Sequence, residues 1–351
     1  MKIIDKNQFI IFPIAYDDIC RDIGALREIR RNSSSIVLYR SFLYKHMESI
    51  HNYIIQREGD KSERYYILDM KYIDNAGDRI FNQLDGFDNV MIINVGAFPA
   101  LSRRIEEDLK SFDKKNEGWF SNDSTYDVYL KNKEMIENIY REIEVSIVDS
   151  YTRRMTEQEI ENAKPLSSSN IYSNMYIDTA QLFYNVENYR FMIFRLLCKI
   201  YEYEEHNFDK ISGFISASSN GANLANIIGW LTGKKAIFCT DLGPKYSLTL
   251  KYFVDDIRPK KNYVYIFDFL CLGTEAKMLN AIVNVKNANI LSGYGFASYT
   301  KNTEGVLAKM HSIVNLKDEK FGYRITGDKE ELKGILAGDK KNEFKQYIHE
   351  V

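Results

Sequence analysis

Two short loops contain the residue types from which anion or sugar chemistry is built. The first, Ser216-Ala-Ser-Ser-Asn-Gly221, offers hydroxyls at Ser216, Ser218 and Ser219, an amide at Asn220 and a glycine at Gly221. The second runs Asp268-Phe-Leu-Cys-Leu-Gly-Thr-Glu275. Each leads straight into a segment with helical spacing. The unpaired backbone N–H groups and positive dipole end of a helix start form a natural anion site. Gly221 lets the backbone approach a ligand closely. Taken alone, a small-residue loop of this kind is more often just a tight strand-to-helix turn. One residue opposes phosphate: Glu275 puts a carboxylate in the first turn of the second helix. It satisfies the dipole itself, and two like charges about 4 Å apart cost roughly 1–4 kcal/mol near a protein surface. The alternative is that Glu275 turns outward and Thr274 supplies a hydroxyl.

These loops need strands to hold them. Residues 211–216 (ISGFIS) read as a strand, 223–232 as a helix ended by Gly233, and 236–240 (AIFCT) as a strand. Residues 263–267 (YVYIF) form a strand ending at Asp268, followed by a loop over 269–274, a helix over 275–283 and a strand over 290–298. Repeated strand–loop–helix predicts a mainly parallel sheet with ligands at the strand C-termini. A long amphipathic helix is expected from Asp178 to about Glu205. Earlier in the chain, strands at 35–39, 65–70 and 90–95 alternate with helices at 42–56 and 74–84, the latter capped by Asp74. Between the halves lies a charged, helical stretch. These patterns divide the chain into an α/β domain (1–96), a helical connector (97–164), a second α/β domain (165–300) and a strand-and-helix appendage (301–351). The turn-forming segment 164–170 marks the main boundary.

Composition limits the function classes. The 351 residues are 45% hydrophobic and 27% charged, enough for two globular cores. Lys and Arg number 47 against 49 Asp and Glu, a net charge of -2, which argues against nucleic acid as the main partner. The cysteines, Cys20, Cys198, Cys239 and Cys271, form no C-x-x-C pair, and the five histidines show no zinc spacing, so buried reduced thiols and no structural metal are expected. No run of about 18 apolar residues suggests a membrane span, and a cytoplasmic location is expected.

Four stretches, in order, resemble the phosphoribosyltransferases, specifically the orotate type: LSSSNIYSNMYID (166–178), GFISASSNGANLANIIGWLTGKKAIF (213–238), KKNYVYIFDFLCLGTEAKMLNAI (260–282) and NANILSGYGFASY (287–299). The likeness covers about 165–300. It implies a type I fold, a homodimer, and a site for phosphoribosyl pyrophosphate carried with Mg2+. In that family two acids hold the ribose hydroxyls and magnesium shell, and a hydroxyl-rich loop wraps the 5′-phosphate. Here the second acid is Asp268 and the first is Phe267. The loop hydroxyls are replaced by Cys271 and Leu272, Gly273 is kept, and Glu275 stands at the final threonine position beside Thr274. Tyr172 and Asn174 fall where the family has Lys and Pro, so a pyrophosphate cation is missing there. Lys245 is the candidate substitute, in a stretch (243–261) where the family has its flexible basic loop.

The segment YYILDMKYIDNAGDRIF (65–81) resembles the STAS domains of anti-sigma-factor antagonists, with Asp74-Asn75-Ala76-Gly77 at the helix opening. Ala76 stands where that family has its phosphorylated serine, which removes a kinase switch there. Together the resemblances imply a bacterial regulatory protein. It would bind a nucleotide or sugar phosphate through Ser216, Ser218–Gly221, Asp268, Gly273–Glu275, Tyr172 and Lys245, and a protein partner through the N-terminal domain. Catalysis would be weak or lost. The alternative is an active enzyme transferring phosphoribose to a pyrimidine-like base, with Asp268 as its catalytic and magnesium-associated acid.

Overall fold

The computed structural model describes residues 2–6, 8–16, 18–19, 40–57, 64–95, 98–110, 112–115, 119–121, 123–165, 171–204, 207–239, 256–299, 309–317 and 323–339. The chain forms two compact units, Met1–Glu142 and Ile143–Val351.

The first unit runs β1 (Ile4–Lys6), β2 (Phe9–Pro13), β3 (Arg40–Phe42), α1 (Tyr44–Arg57), β4 (Tyr65–Asp69), β5 (Ile73–Ala76), β6 (Val90–Ile93), α2 (Pro99–Asp108), β7 (Asp113–Lys115), β8 (Trp119–Ser121) and the start of α3 (Asp123–Ser150). Its main sheet has the order β1-β2-β4-β6-β8-β7, with β2, β4 and β6 parallel and β1, β8 and β7 joined antiparallel. Every residue of β2 is buried, as expected of a strand covered on both faces. The sequence reading left this FIIFP run unassigned. Its strand at 35–39 lies outside the described residues.

The helix expected from Asp74 does not form. Residues 73–76 pair with β3, Gly77 donates to the Phe42 carbonyl, and only a 3-10 turn, Ile80–Leu84, follows. Strand pairing has taken the backbone groups a helix would need, so Asp74 caps nothing. The stretch expected as a helical connector also changes character, because β7 and β8 extend the first sheet.

The second unit contains β9 (Thr152–Arg154), α4 (Glu157–Glu161), β10 (Tyr172–Ser173), β11 (Met175–Ile177), α5 (Val186–Glu204), β12 (Ile211–Ser216), α6 (Ser219–Thr232), β13 (Lys235–Phe238), β14 (Asn262–Leu270), α7 (Thr274–Val285), β15 (Asn289–Ser298), β16 (Met310–Asn315), β17 (Ile325–Thr326) and α8 (Lys329–Asp339). A 3-10 turn, Thr179–Tyr184, precedes α5, so the helix expected from Asp178 begins later. The unit begins upstream of the turn-rich boundary at 164–170, since β9 pairs with β11 and Met155 donates to the Asn174 carbonyl.

The central sheet is parallel throughout, in the order β13-β12-β14-β15-β16. Residues 310–315, expected in an appendage, are its edge strand. Strand β14 runs through Asp268 to Leu270, because Phe269 and Leu270 keep pairing with Ala297 and Ser298. Gly233 ends α6 at φ 66°, the left-handed cap expected from the sequence.

Tyr263, Tyr265 and Phe267 alternate along β14 into one buried cluster with Ala276, Leu279 and Val283 of α7. That alternation turns Val264, Ile266 and Asp268 to the other face. On the far side, α5 packs on β15 and β16, and its buried Glu204 accepts hydrogen bonds from the Ser292 and Tyr294 hydroxyls.

Candidate functional site

The strand order contains one point where successive connections diverge. From β12 the chain passes to β13 on one side, while β14 lies on the other. The carboxyl ends of β12 and β14 therefore open a crevice, the place where ligands bind in open α/β sheets. Both loops singled out from the sequence lead out of these strand ends.

The centre of the crevice is Asp268. Its Oδ1 accepts from the Ser218 hydroxyl at 2.8 Å and its Oδ2 from the Thr179 hydroxyl at 2.7 Å. The Asn220 amide donates to Thr179 Oγ1 at 2.7 Å, which joins the first turn of α6 to the same network. Ser218 is also the cap of α6, accepting from the Gly221 N–H at 3.0 Å. Each carboxylate oxygen can accept about two hydrogen bonds, so Asp268 is fixed in place with acceptor capacity left over.

The other expected residues divide. Ser216 is fully buried at the end of β12 and turns toward the Ser218 carbonyl, 3.4 Å away. Ser219 is exposed at the start of α6. Gly221 serves packing: a Cβ there would lie 2.3 Å from Ser216 Oγ and 3.0 Å from the Ile266 carbonyl oxygen. Tyr172 is held on β10 opposite Thr326. Asn174 is buried and binds the Arg324 backbone in both directions. Lys245 lies outside the described residues. Thr179 was missed from the sequence. Its only signal was its place directly after the MYID residues, one residue beyond the first resembling stretch.

The second loop is shaped by Gly273, which caps α7 in the left-handed conformation at φ 74° with no side-chain cap. Thr274 and Glu275 open the helix. Glu275 is half-buried, and burial together with the Asp268 charge raises its carboxyl above the ordinary range. Two carboxylates thus share the crevice. The same two charges act on the fully buried Tyr265, whose hydroxyl is pushed well up, chiefly by burial. Cys271 is not an activated thiol: burial lifts it to about 11, and it hydrogen-bonds Tyr323.

A raised carboxyl has a consequence for stability. The contribution of Glu275 is fully present below its unfolded value and is lost as pH rises through its folded one. Glu275→Gln is therefore expected to match the parent's melting temperature near pH ~4 and to exceed it near pH ~8. Thermal unfolding across that range checks this; equal melting temperatures at both ends would refute it.

Phe267 does not plug the crevice. It is 1% exposed and sits in the core beneath α7, facing away from Asp268. A magnesium-bound pyrophosphate ligand therefore does not fit these residues. The first acid of the pair it needs is a core phenylalanine, which leaves Asp268 as the one carboxylate of that pair.

No protein-family model and no curated protein matches the sequence. Among solved structures, the chain is similar to orotate phosphoribosyltransferase from Aeropyrum pernix, at 17% identity over 51% of this chain and 99% of that one, TM-score 0.38. It is similar to adenine phosphoribosyltransferase from Saccharomyces cerevisiae at 14% identity over 45% and 99%, TM-score 0.35. It is also similar to the adenine enzyme from Trypanosoma brucei at 10% identity over 50% and 80%, TM-score 0.36. These likenesses are of low identity and cover about half of the chain, and the chemistry of the region has to be read from its own residues.

Proposed function

We propose that the second unit binds a ribose-bearing small molecule, of the nucleotide or sugar-phosphate class that the sequence resemblance brings in, and that it does so in a regulatory role with phosphoribosyl transfer weak or lost. The observation that carries this reading is the Asp268 carboxylate. It stands at the divergence point of a parallel sheet, oriented by Thr179 and Ser218, with lone pairs left to take a vicinal diol. Transfer would depend on positioning and on stabilising the charge of a departing pyrophosphate. The loops bring a second carboxylate to Asp268 instead, and the position of the first acid faces the core. The first unit, with its own sheet, would carry the partner surface in this scheme, and the homodimer implied by the resemblance belongs to it.

The test is calorimetric titration with phosphoribosyl pyrophosphate and Mg2+, and with ribonucleosides and ribonucleotides, using Asp268→Asn as the paired variant. Binding of a ribose-bearing ligand is expected to weaken by tenfold or more in Asp268→Asn, about 1.4 kcal/mol or more, with the fold intact by circular dichroism. No pyrophosphate release is expected with any base. Pyrophosphate release dependent on a base would establish the transferase instead, and the absence of any binding would sink the ribose reading.

A further inference from the structure

We infer that Glu275 makes the α7 end of this crevice reject phosphate, so that the ligand is an unphosphorylated nucleoside in preference to its 5′-monophosphate. This rests on the ribose-binding part of the reading above and departs from it in excluding the phosphate.

The start of α7 has the backbone of an anion site. Gly273 caps it without a side chain, which leaves the first-turn N–H groups open to an acceptor. The second residue of the helix is nevertheless Glu275, half-buried, and the charge acting on it is that of Asp268. A phosphate dianion on that turn would meet two carboxylates.

An independent observation points to what fits. The Tyr151 hydroxyl is buried, has no hydrogen-bond partner among the described residues, and is close enough to Asp268 to feel its charge. Its position is fixed: the Tyr151 carbonyl accepts from the Asp178 N–H, one residue before the Thr179 that holds Asp268. Burial keeps this hydroxyl protonated. A carboxylate acceptor beside an unused O–H donor matches a sugar hydroxyl, which both donates and accepts. A phosphate offers the carboxylates no donor at neutral pH. Glu275 is thus a specificity-determining residue, set against the charged form of the ligand by repulsion.

The experiment titrates the full chain at pH ~7.5 with the four common ribonucleosides and their 5′-monophosphates, comparing the parent with Glu275→Gln, Glu275→Thr and Asp268→Asn. The parent is expected to bind at least one nucleoside tenfold or more tighter than its monophosphate. Either Glu275 variant should cut that ratio tenfold or more, mainly by tighter monophosphate binding, while Asp268→Asn weakens both ligands. Two results overturn the inference and leave the ribose site standing: a parent that binds the monophosphate as tightly as the nucleoside, or a preference unchanged in both Glu275 variants. Failure of the parent to bind any member of the panel overturns this inference and the ribose reading together.

Discussion

Phe267→Asp, which would restore the acidic pair of the resembling family, is expected to unfold the second unit and not to improve its ligand binding. Position 267 is 1% exposed and packs with Tyr265, Ala276, Leu279 and Val283 under α7. Removing a buried phenylalanine costs about 3–5 kcal/mol. An unpaired carboxylate in that site adds a desolvation penalty of several kcal/mol, or takes up a proton to escape it. Whole-domain stability is about 5–15 kcal/mol, so the variant sits at or beyond the limit. Thermal unfolding checks the first part. A soluble variant with an unchanged melting temperature, or one that gains binding of phosphoribosyl pyrophosphate, would show that side chain 267 reaches the crevice after all.

Gly295→Ala should destabilise the same core from the neighbouring strand. A Cβ at Gly295 would lie 2.1 Å from Cδ2 and 2.2 Å from Cε2 of Phe267, and 2.5 Å from its carbonyl oxygen. The ring is fully packed and cannot swing away, and the carbonyl belongs to the paired backbone of β14. Overpacking of this kind costs about 1–3 kcal/mol and more where backbone must shift. For a unit of this size each kcal/mol lowers the melting temperature by about 2–4 °C. A decrease of about 2–12 °C is therefore expected. The double variant Gly295→Ala with Phe267→Leu should recover part of it, because the ring clash goes while the carbonyl clash stays. Strict additivity of the two single effects would show that they do not share this contact.

Much of the second unit was legible in the sequence. Residues 211–216 read directly as a strand, Gly233 as a left-handed cap, and 290–298 as the strand that became β15, each from local signals: an apolar run, a lone glycine after a helical pattern, turn residues on either side. The positions of Ser218, Asp268 and Glu275 followed from being next to those elements. The parallel sheet was legible as an alternation of strand and helix, but its strand order was not. The separation of the two units was legible only as a turn-rich boundary at 164–170, downstream of the division at Glu142 and Ile143.

What the tertiary structure decided was orientation. A motif puts Phe267 beside Asp268, but the pleat sends adjacent side chains to opposite faces, so only packing against α7 shows that 267 belongs to the core. Thr179 reaches Asp268 from 89 positions earlier in the chain, and no local pattern encodes such a meeting. The Asp74 helix gave way to β5 for the same reason, since pairing with β3 outweighed a local cap preference. Local propensity and spacing determined which residues form the elements and which loops hold polar groups. Long-range burial and strand pairing determined which of those groups face one another, because those terms are set by partners distant in sequence.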